Sequence, residues 1–193
     1  DQRKKLDHDI TEEAIRHINQ SELEPSKKTT VLFNANWHKG VIGIVASRLT
    51  ESFYRPTIIL TESNGLATGS ARSVEGFDLY YAISQCSEFL ENYGGHKYAA
   101  GLTLKIENIE PFKQKFERIV RETIDDEMLT PQINIDAKIK LTDITPDLYH
   151  MLQKFAPFGP NNTIPVFMTE KVTNFIGTKR VGRNNEHLKL VIV

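Results

Sequence analysis

Leu6, Ile10, Ala14 and Ile18 recur every four residues through an otherwise polar opening segment, which predicts one helical stripe running to about Gln20. Thr11 with Glu12 and Glu13 could also start a separate turn, and the whole reads as a surface or connecting helix. From Lys28 the texture changes. Thr29 to Phe33 is a short β-branched and aromatic run, Gly40 opens a helix with Ile44, Val45, Leu49 and Phe53 on one face, and Thr57 to Leu60 follows Pro56 as a second strand. After a turn at Asn64 and Gly65, the small residues of Leu66 to Ser73 suit a strand that something approaches closely, with Gly69 as the point of approach.

Leu79, Ile83, Cys86, Leu90 and Tyr93 are spaced by four, three, four and three, predicting an amphipathic helix capped by Gly94. Ala99 to Ile106 then reads as a strand, and Ile109 to Ile124 as a last helix. Strands alternating with helices predict an α/β domain, a mixed sheet with flanking helices. Past Thr130 and Pro131 the pattern turns to period two at Ile133, Ile135, Ala137, Ile139 and Leu141. With a short helix from Pro146, the loop Pro157 to Asn162, and further strands at Pro165 to Phe175 and Leu188 to Val193, a partial β-rich, OB-like domain is expected. The predicted division is a linker helix over 1–27, an α/β domain over 28–129 and a truncated OB-fold domain over 130–193.

Composition narrows the classes. With 39% hydrophobic residues and 24 basic against 25 acidic side chains, the 193-residue chain is neither disordered nor a polycation. One Cys excludes a disulfide scaffold and implies a reducing compartment; Cys86 lies on an apolar stripe, where a core role outweighs a nucleophilic one. No apolar window is long enough for a membrane helix and the first nine residues are too charged for a secretory signal, so a soluble, cytoplasmic protein is expected. The missing initiator Met and the stop within the apolar run Leu190 to Val193 are what a piece of a longer protein would have.

Three polar clusters stand at junctions between elements, where exposed groups collect. Trp37-His38-Lys39-Gly40 precedes a helix, so amides, Lys39 and His38 could hold an anion; an ordinary helix start with Trp37 in the core accounts for the same residues. In Thr68-Gly69-Ser70-Ala71-Arg72-Ser73, Arg72 could grip a phosphate with two donors beside the hydroxyls of Ser70 and Ser73, or form a surface ion pair. In Gly94-Gly95-His96-Lys97, the glycines permit a tight turn presenting His96 to a phosphate, with an incidental His after a helix cap as the alternative. No segment offers convergent Asp and His for two metal ions, and consecutive residues such as Asp7-His8-Asp9 diverge on a helix. The chain has no P-loop, GxSxG elbow or CxxC pair. The expected chemistry is phosphate binding without cleavage, and the expected metal set is none.

In this order, the segments Trp37 to Arg48, Gly69 to Ser73 and Gly94 to Gly101 resemble the DHH-associated domain of the RecJ family of single-stranded-DNA-specific exonucleases. Leu6 to Ala14 is similar to that family's linker helix, and Phe155 to Gly159, Pro165 to Phe167 and His187 to Leu190 to the start of its OB-fold domain. The resemblance implies 5′ to 3′ removal of nucleotides in repair and recombination, with Mn or Mg held by an N-terminal DHH domain and no cofactor in the segments at hand. It implies that Ser70, Arg72 and Ser73 contact a DNA backbone or terminal phosphate and that His96 faces the scissile phosphate. Gly94, Gly95, His38 and Lys39 complete the expected nucleic-acid contacts. Single-stranded DNA is the implied partner, with single-stranded-DNA-binding protein and other repair proteins beside it. Lys171, Lys179, Arg180, Arg183 and Lys189 oppose only Glu186, an excess that suits single-strand binding. Two alternatives stand: a DHH-family phosphoesterase of short oligonucleotides, whose members lack the OB segment, and a non-hydrolytic nucleic-acid-binding module.

Overall fold

The computed structural model describes residues 2–20, 27–159 and 161–193, so residues 21–26 of the expected linker segment and Pro160 of the expected loop lie outside them. It divides into two units, 1–131 and 132–193.

In the first unit, the β-branched run forms β1 (Thr30–Phe33), and the helix α2 (Ile42–Phe53) carries the chain over to β2 (Thr57–Ser63), which pairs parallel to β1. A two-residue turn at Asn64 and Gly65, both at positive φ, then leads into β3 (Leu66–Arg72), antiparallel to β2. α3 (Leu79–Ser84) is followed by β4 (Leu90–His96) and β5 (Ala99–Leu104). β5 inserts between β3 and β4, antiparallel to both, giving the order β1-β2-β3-β5-β4. α4 (Ile109–Thr123) closes the unit.

Burial alternates along β3: Ala67, Gly69 and Ala71 are buried while Leu66, Thr68, Ser70 and Arg72 are half-buried. The Ala67 side packs with Ile58, Leu60, Leu102 and Leu104 against Leu79, Ala82 and Ile83 of α3 and Phe112, Phe116 and Val120 of α4. Phe112 and Phe116 stack with centroids 5.7 Å apart, and truncating either to Ala should cost about 3–5 kcal/mol. On the other side, Ile59 meets Val45, Ala46 and Leu49 of α2, and α1 (Gln2–Gln20) lays Ile10, Ala14 and Ile18 on the same cluster. The stripe of α1 is thus as the four-residue spacing predicts, in one uninterrupted helix. Rather than a mere surface connector, α1 is bolted down. Arg48 Nη2 meets the buried Asp7 Oδ2 at 2.7 Å, and Glu13 accepts from Asn34 Nδ2 at 2.8 Å and Trp37 Nε1 at 3.1 Å.

Four expectations are corrected. The helix predicted from Leu79 to Tyr93 ends at Ser84; after a 3₁₀ turn at Ser87–Phe89, Leu90 and Tyr93 lie on β4. Gly94 is therefore a mid-strand residue and no helix cap, because pairing with β5 outweighs a spacing that fits a helix equally well. In α2, the apolar face is Ile42, Val45, Ala46 and Leu49, whereas Ile44 is exposed. β5 ends at Leu104, and Ile106 opens a 3₁₀ turn.

The second unit holds β6 (Ala137–Lys138) parallel to β7 (Phe167–Met168), and β8 (Lys179–Val181) antiparallel to β9 (His187–Lys189). α5 (Pro146–Gln153) starts at its predicted proline, with Thr145 Oγ1 accepting from Leu148 N at 3.2 Å as the cap. The strands are shorter than the period-two pattern predicts. No described residue of this unit is buried, so its ladders lack a packed layer that would extend them.

Candidate nucleic-acid interface

Strand register places the predicted residues. Arg72 on β3 pairs with Ala99 on β5, and Ala99 with His96 on β4; two residues along, Ser70 pairs with Gly101 and Gly101 with Gly94. Directly paired residues share a face, so Ser70, Arg72, Ala99, Gly101, Gly94 and His96 stand together on the α2 side of the sheet. α2 lies over β2 and β3, leaving Gly101, Gly94 and His96 exposed. At ordinary strand spacing the Arg72 and His96 backbones are roughly 10 Å apart.

The floor between them carries only the Ala99 methyl and, one row along, the bare backbone of Gly101 and Gly94. A Cβ added to Gly94 would meet nothing within 4 Å, and one added to Gly101 only Gly69 O at 3.9 Å. One wall is the first turn of α2, where a Cβ on Gly43 would fall 3.1 Å from Arg72 Nη2 and 3.2 Å from Ser70 Oγ. Gly43 is thus what lets the helix lie against this pair. Arg72 Nη1 donates to Ser70 Oγ at 2.9 Å and to Ala71 O at 2.8 Å, which aims the guanidinium and leaves the Nη2 and Nε donors for a ligand. Partial burial lowers the Arg72 pKa from its ordinary value, and the group remains a cation.

Opposite, the Tyr98 amide donates to His96 Nδ1 at 3.4 Å. With Nδ1 as acceptor, the neutral imidazole favours the tautomer protonated on Nε2, and the residue is exposed. Gly95, at φ +146°, makes this geometry possible, since a Cβ there would lie 2.6 Å from Ala100 Cα.

The remaining predicted residues play other parts in this geometry. Ser73 donates its hydroxyl to Phe77 O at 2.9 Å and its amide to Tyr98 O at 3.1 Å, tying the end of β3 to the turn after His96. His38 and Lys39 are exposed in the turn before α2; His38 Nδ1 accepts from Gly40 N at 3.0 Å, so its Nε2 also points a donor outward. His38 lines a cavity of about 510 Å³ with Arg3, Leu6, Gly40 and Val41, on the α1 side of α2. Trp37 is core, with Nε1 bonded to Glu13. Gly69 is not a point of ligand approach: it is buried on the opposite face, where a Cβ would meet Leu60 Cδ2 at 2.5 Å and Leu102 Cδ2 at 3.1 Å. Gly101, the register partner of Ser70 on the other face, is the exposed glycine with open space above it. Gly101 and Gly43 fall within the sequence motifs without a role there, and only strand pairing and helix placement single them out.

In the second unit, Lys179 and Lys189 are register partners, so two like charges stand directly opposite on one exposed ladder. Such a pair is repulsive alone and favours a polyanion across it. Glu186 beside them stays an anion, its carboxyl held below the usual range by its own amide and that of Asn184.

Among the described residues no group of three or more His, Cys, Asp or Glu could hold a metal ion. Asp7 is buried against Arg48 while His8 and Asp9 are exposed, so that tripeptide presents no donor set. Nor is any described helix long and apolar enough to cross a membrane.

The first unit is thus a mixed sheet that carries an Arg and a His on one uncovered face. The chain belongs to the DHHA1 domain family, whose model matches residues 26–122, and the RecJ OB domain model matches residues 135–193. It is similar to the single-stranded-DNA-specific exonuclease RecJ of Bacillus subtilis, 35% identical over 193 residues that cover 99% of this chain and 24% of that protein. The RecJ of Escherichia coli K12 is 29% identical over 98% of this chain and 33% of its own length. Among solved structures, RecJ from Thermus thermophilus in complex with Mg2+ matches with a TM-score of 0.79 at 25% identity, covering 99% of this chain and 29% of that one. The chain spans about a quarter to a third of the length of these relatives.

Proposed function

We propose that this chain is the nucleic-acid-binding portion of a RecJ-type exonuclease that degrades single-stranded DNA from 5′ to 3′. The observation that carries this reading is the Arg72–Ala99–His96 row, a cation and an Nε2–H donor facing each other across a floor of Ala and Gly. Arg72, oriented by Ser70, grips one phosphate with a planar fork of donors. His96 donates to a neighbouring or scissile phosphate oxygen and so offsets charge that develops there. Gly94 and Gly101 let the sugar-phosphate backbone approach the sheet, Gly95 and Ser73 hold the His96 turn in place, and the exposed turn before α2 adds the Lys39 ammonium and the His38 imidazole as further donors. The OB unit, by itself, offers single-stranded DNA a cationic ladder in Lys179 opposite Lys189.

Among the described residues no cluster of His, Cys, Asp or Glu offers a metal a donor set, and this reading assigns the hydrolytic step to another part of the whole enzyme. In the proposed whole enzyme, Mn or Mg would be held by a DHH domain, in keeping with the Mg2+ complex of the Thermus relative. Single-stranded-DNA-binding protein and other repair proteins are the further partners this reading proposes, in a cytoplasmic setting.

The test is fluorescence anisotropy of a 5′-phosphorylated single strand titrated with the chain, followed by incubation with Mn. Binding without cleavage is expected, and Arg72→Ala or His96→Ala should weaken binding without lowering the melting temperature. Robust cleavage by the chain itself, or equal loss of stability and binding in both variants, would refute the reading.

A further inference from the structure

Tyr98 occupies the turn that joins His96 to Ala99, at the edge of the row whose outer members are the proposed phosphate contacts. Its backbone is held on both sides: the amide donates to His96 Nδ1, and the carbonyl accepts from Ser73 N, the residue after Arg72. The turn is anchored once more where Leu79 N donates to Lys97 O at 3.0 Å. The residue, by contrast, is 47% exposed, and Lys97 Nζ stands over one face of its ring, 5.5 Å from the centroid. A large aromatic residue half in water on an anchored backbone, with an ammonium over one ring face and two proposed phosphate donors adjoining, has the parts of a single-strand stacking site on its other face. Rings supply a face that any base can cover, and cations neutralise the backbone that follows it.

We infer that Tyr98 is a base-stacking platform, taking the nucleobase of the nucleotide whose phosphate lies between Arg72 and His96. The inference rests on the reading of that row as a phosphate site, and it adds a subsite for the base. Because stacking needs a π-face and no particular hydrogen-bond pattern, the subsite accepts any of the bases and imposes no sequence preference. It does require that a base be present and unpaired, which is a means of preferring single strands over duplex ends.

The test uses the intact chain and a 5′-phosphorylated oligodeoxynucleotide whose terminal base is the fluorescent adenine analogue 2-aminopurine, which stacking quenches. The expected result is quenching by the wild type and by Tyr98→Phe. Tyr98→Ala and Tyr98→Leu, with melting temperatures unchanged, should lose the quench and bind roughly 5- to 100-fold more weakly. An oligonucleotide with an abasic 5′ end should bind all four proteins alike. Retained quench and affinity in Tyr98→Ala and Tyr98→Leu, while Arg72→Ala weakens binding, would overturn the stacking inference and leave the phosphate site standing. Unchanged binding in Arg72→Ala as well would overturn both.

Discussion

Arg72 and His96 are register partners of the same residue, Ala99, so the guanidinium and the imidazole leave one face of three adjacent strands with a methyl group between them. They lie 24 positions apart in the chain, and the insertion of β5 between β3 and β4 is what brings them into one row. A ligand spanning the row meets a charge at one end and an Nε2–H donor at the other.

Substituting Arg72 by Lys keeps the charge but removes the planar fork and the bond that Nη1 makes to Ser70. Affinity for single-stranded DNA should fall roughly 10-fold or more, the worth of one charge-assisted hydrogen bond. Anisotropy titration checks this, and the half-buried position predicts a melting temperature near that of the wild type.

Gly101→Val separates folding from binding. Gly101 has no positive φ, and a Cβ there meets only Gly69 O at 3.9 Å, so the strand accepts a β-branched residue and gains up to about 1 kcal/mol. The same side chain fills the floor between Arg72 and His96. Urea denaturation should show equal or higher stability while binding is lost; simultaneous loss of both would remove the floor from the account.

Gly95→Ala behaves in the opposite way. Its φ of +146° and the 2.6 Å from the added Cβ to Ala100 Cα force β4 away from β5. A destabilisation of about 1–3 kcal/mol is expected in urea, and displacement of His96 should weaken binding as well.

Cys86 provides a pH test of the core. Burial pushes its thiol up from the ordinary 9.0 to about 11. The folded thiol keeps its proton where the unfolded one ionises, so its contribution to stability is complete below about pH 9 and is lost as pH rises toward about 11. The gap in denaturation midpoint between wild type and Cys86→Ala should therefore shrink over that range. A constant gap would mean the thiol ionises as freely folded as unfolded.

Much of this fold can be read from periodicity alone. Ile10, Ala14 and Ile18 need only a helix to share a face, and Thr57 to Leu60 or Phe112 to Val120 reveal their element locally. The segment Leu79 to Tyr93 cannot be read this way, because Leu90 and Tyr93 satisfy helical spacing and become strand residues only when β5 supplies a partner. The same limit governs the site. Arg72, Ser70 and His96 are chemically conspicuous in sequence, yet whether Gly69 or Gly101 faces the ligand depends on which side of β3 is buried. Gly43 meets Arg72 only because α2 crosses back over β3, a long-range consequence of the parallel β1–β2 pairing.

The central claim, that the uncovered face between Arg72 and His96 is where a single strand lies, is tested most directly by following backbone amide resonances as a 5′-phosphorylated oligothymidylate is added. Shifts concentrated at Gly43, Ser70 to Ser73 and Gly94 to Gly101, abolished by Gly101→Val, are the predicted result. Saturable binding that leaves those resonances in place would contradict it.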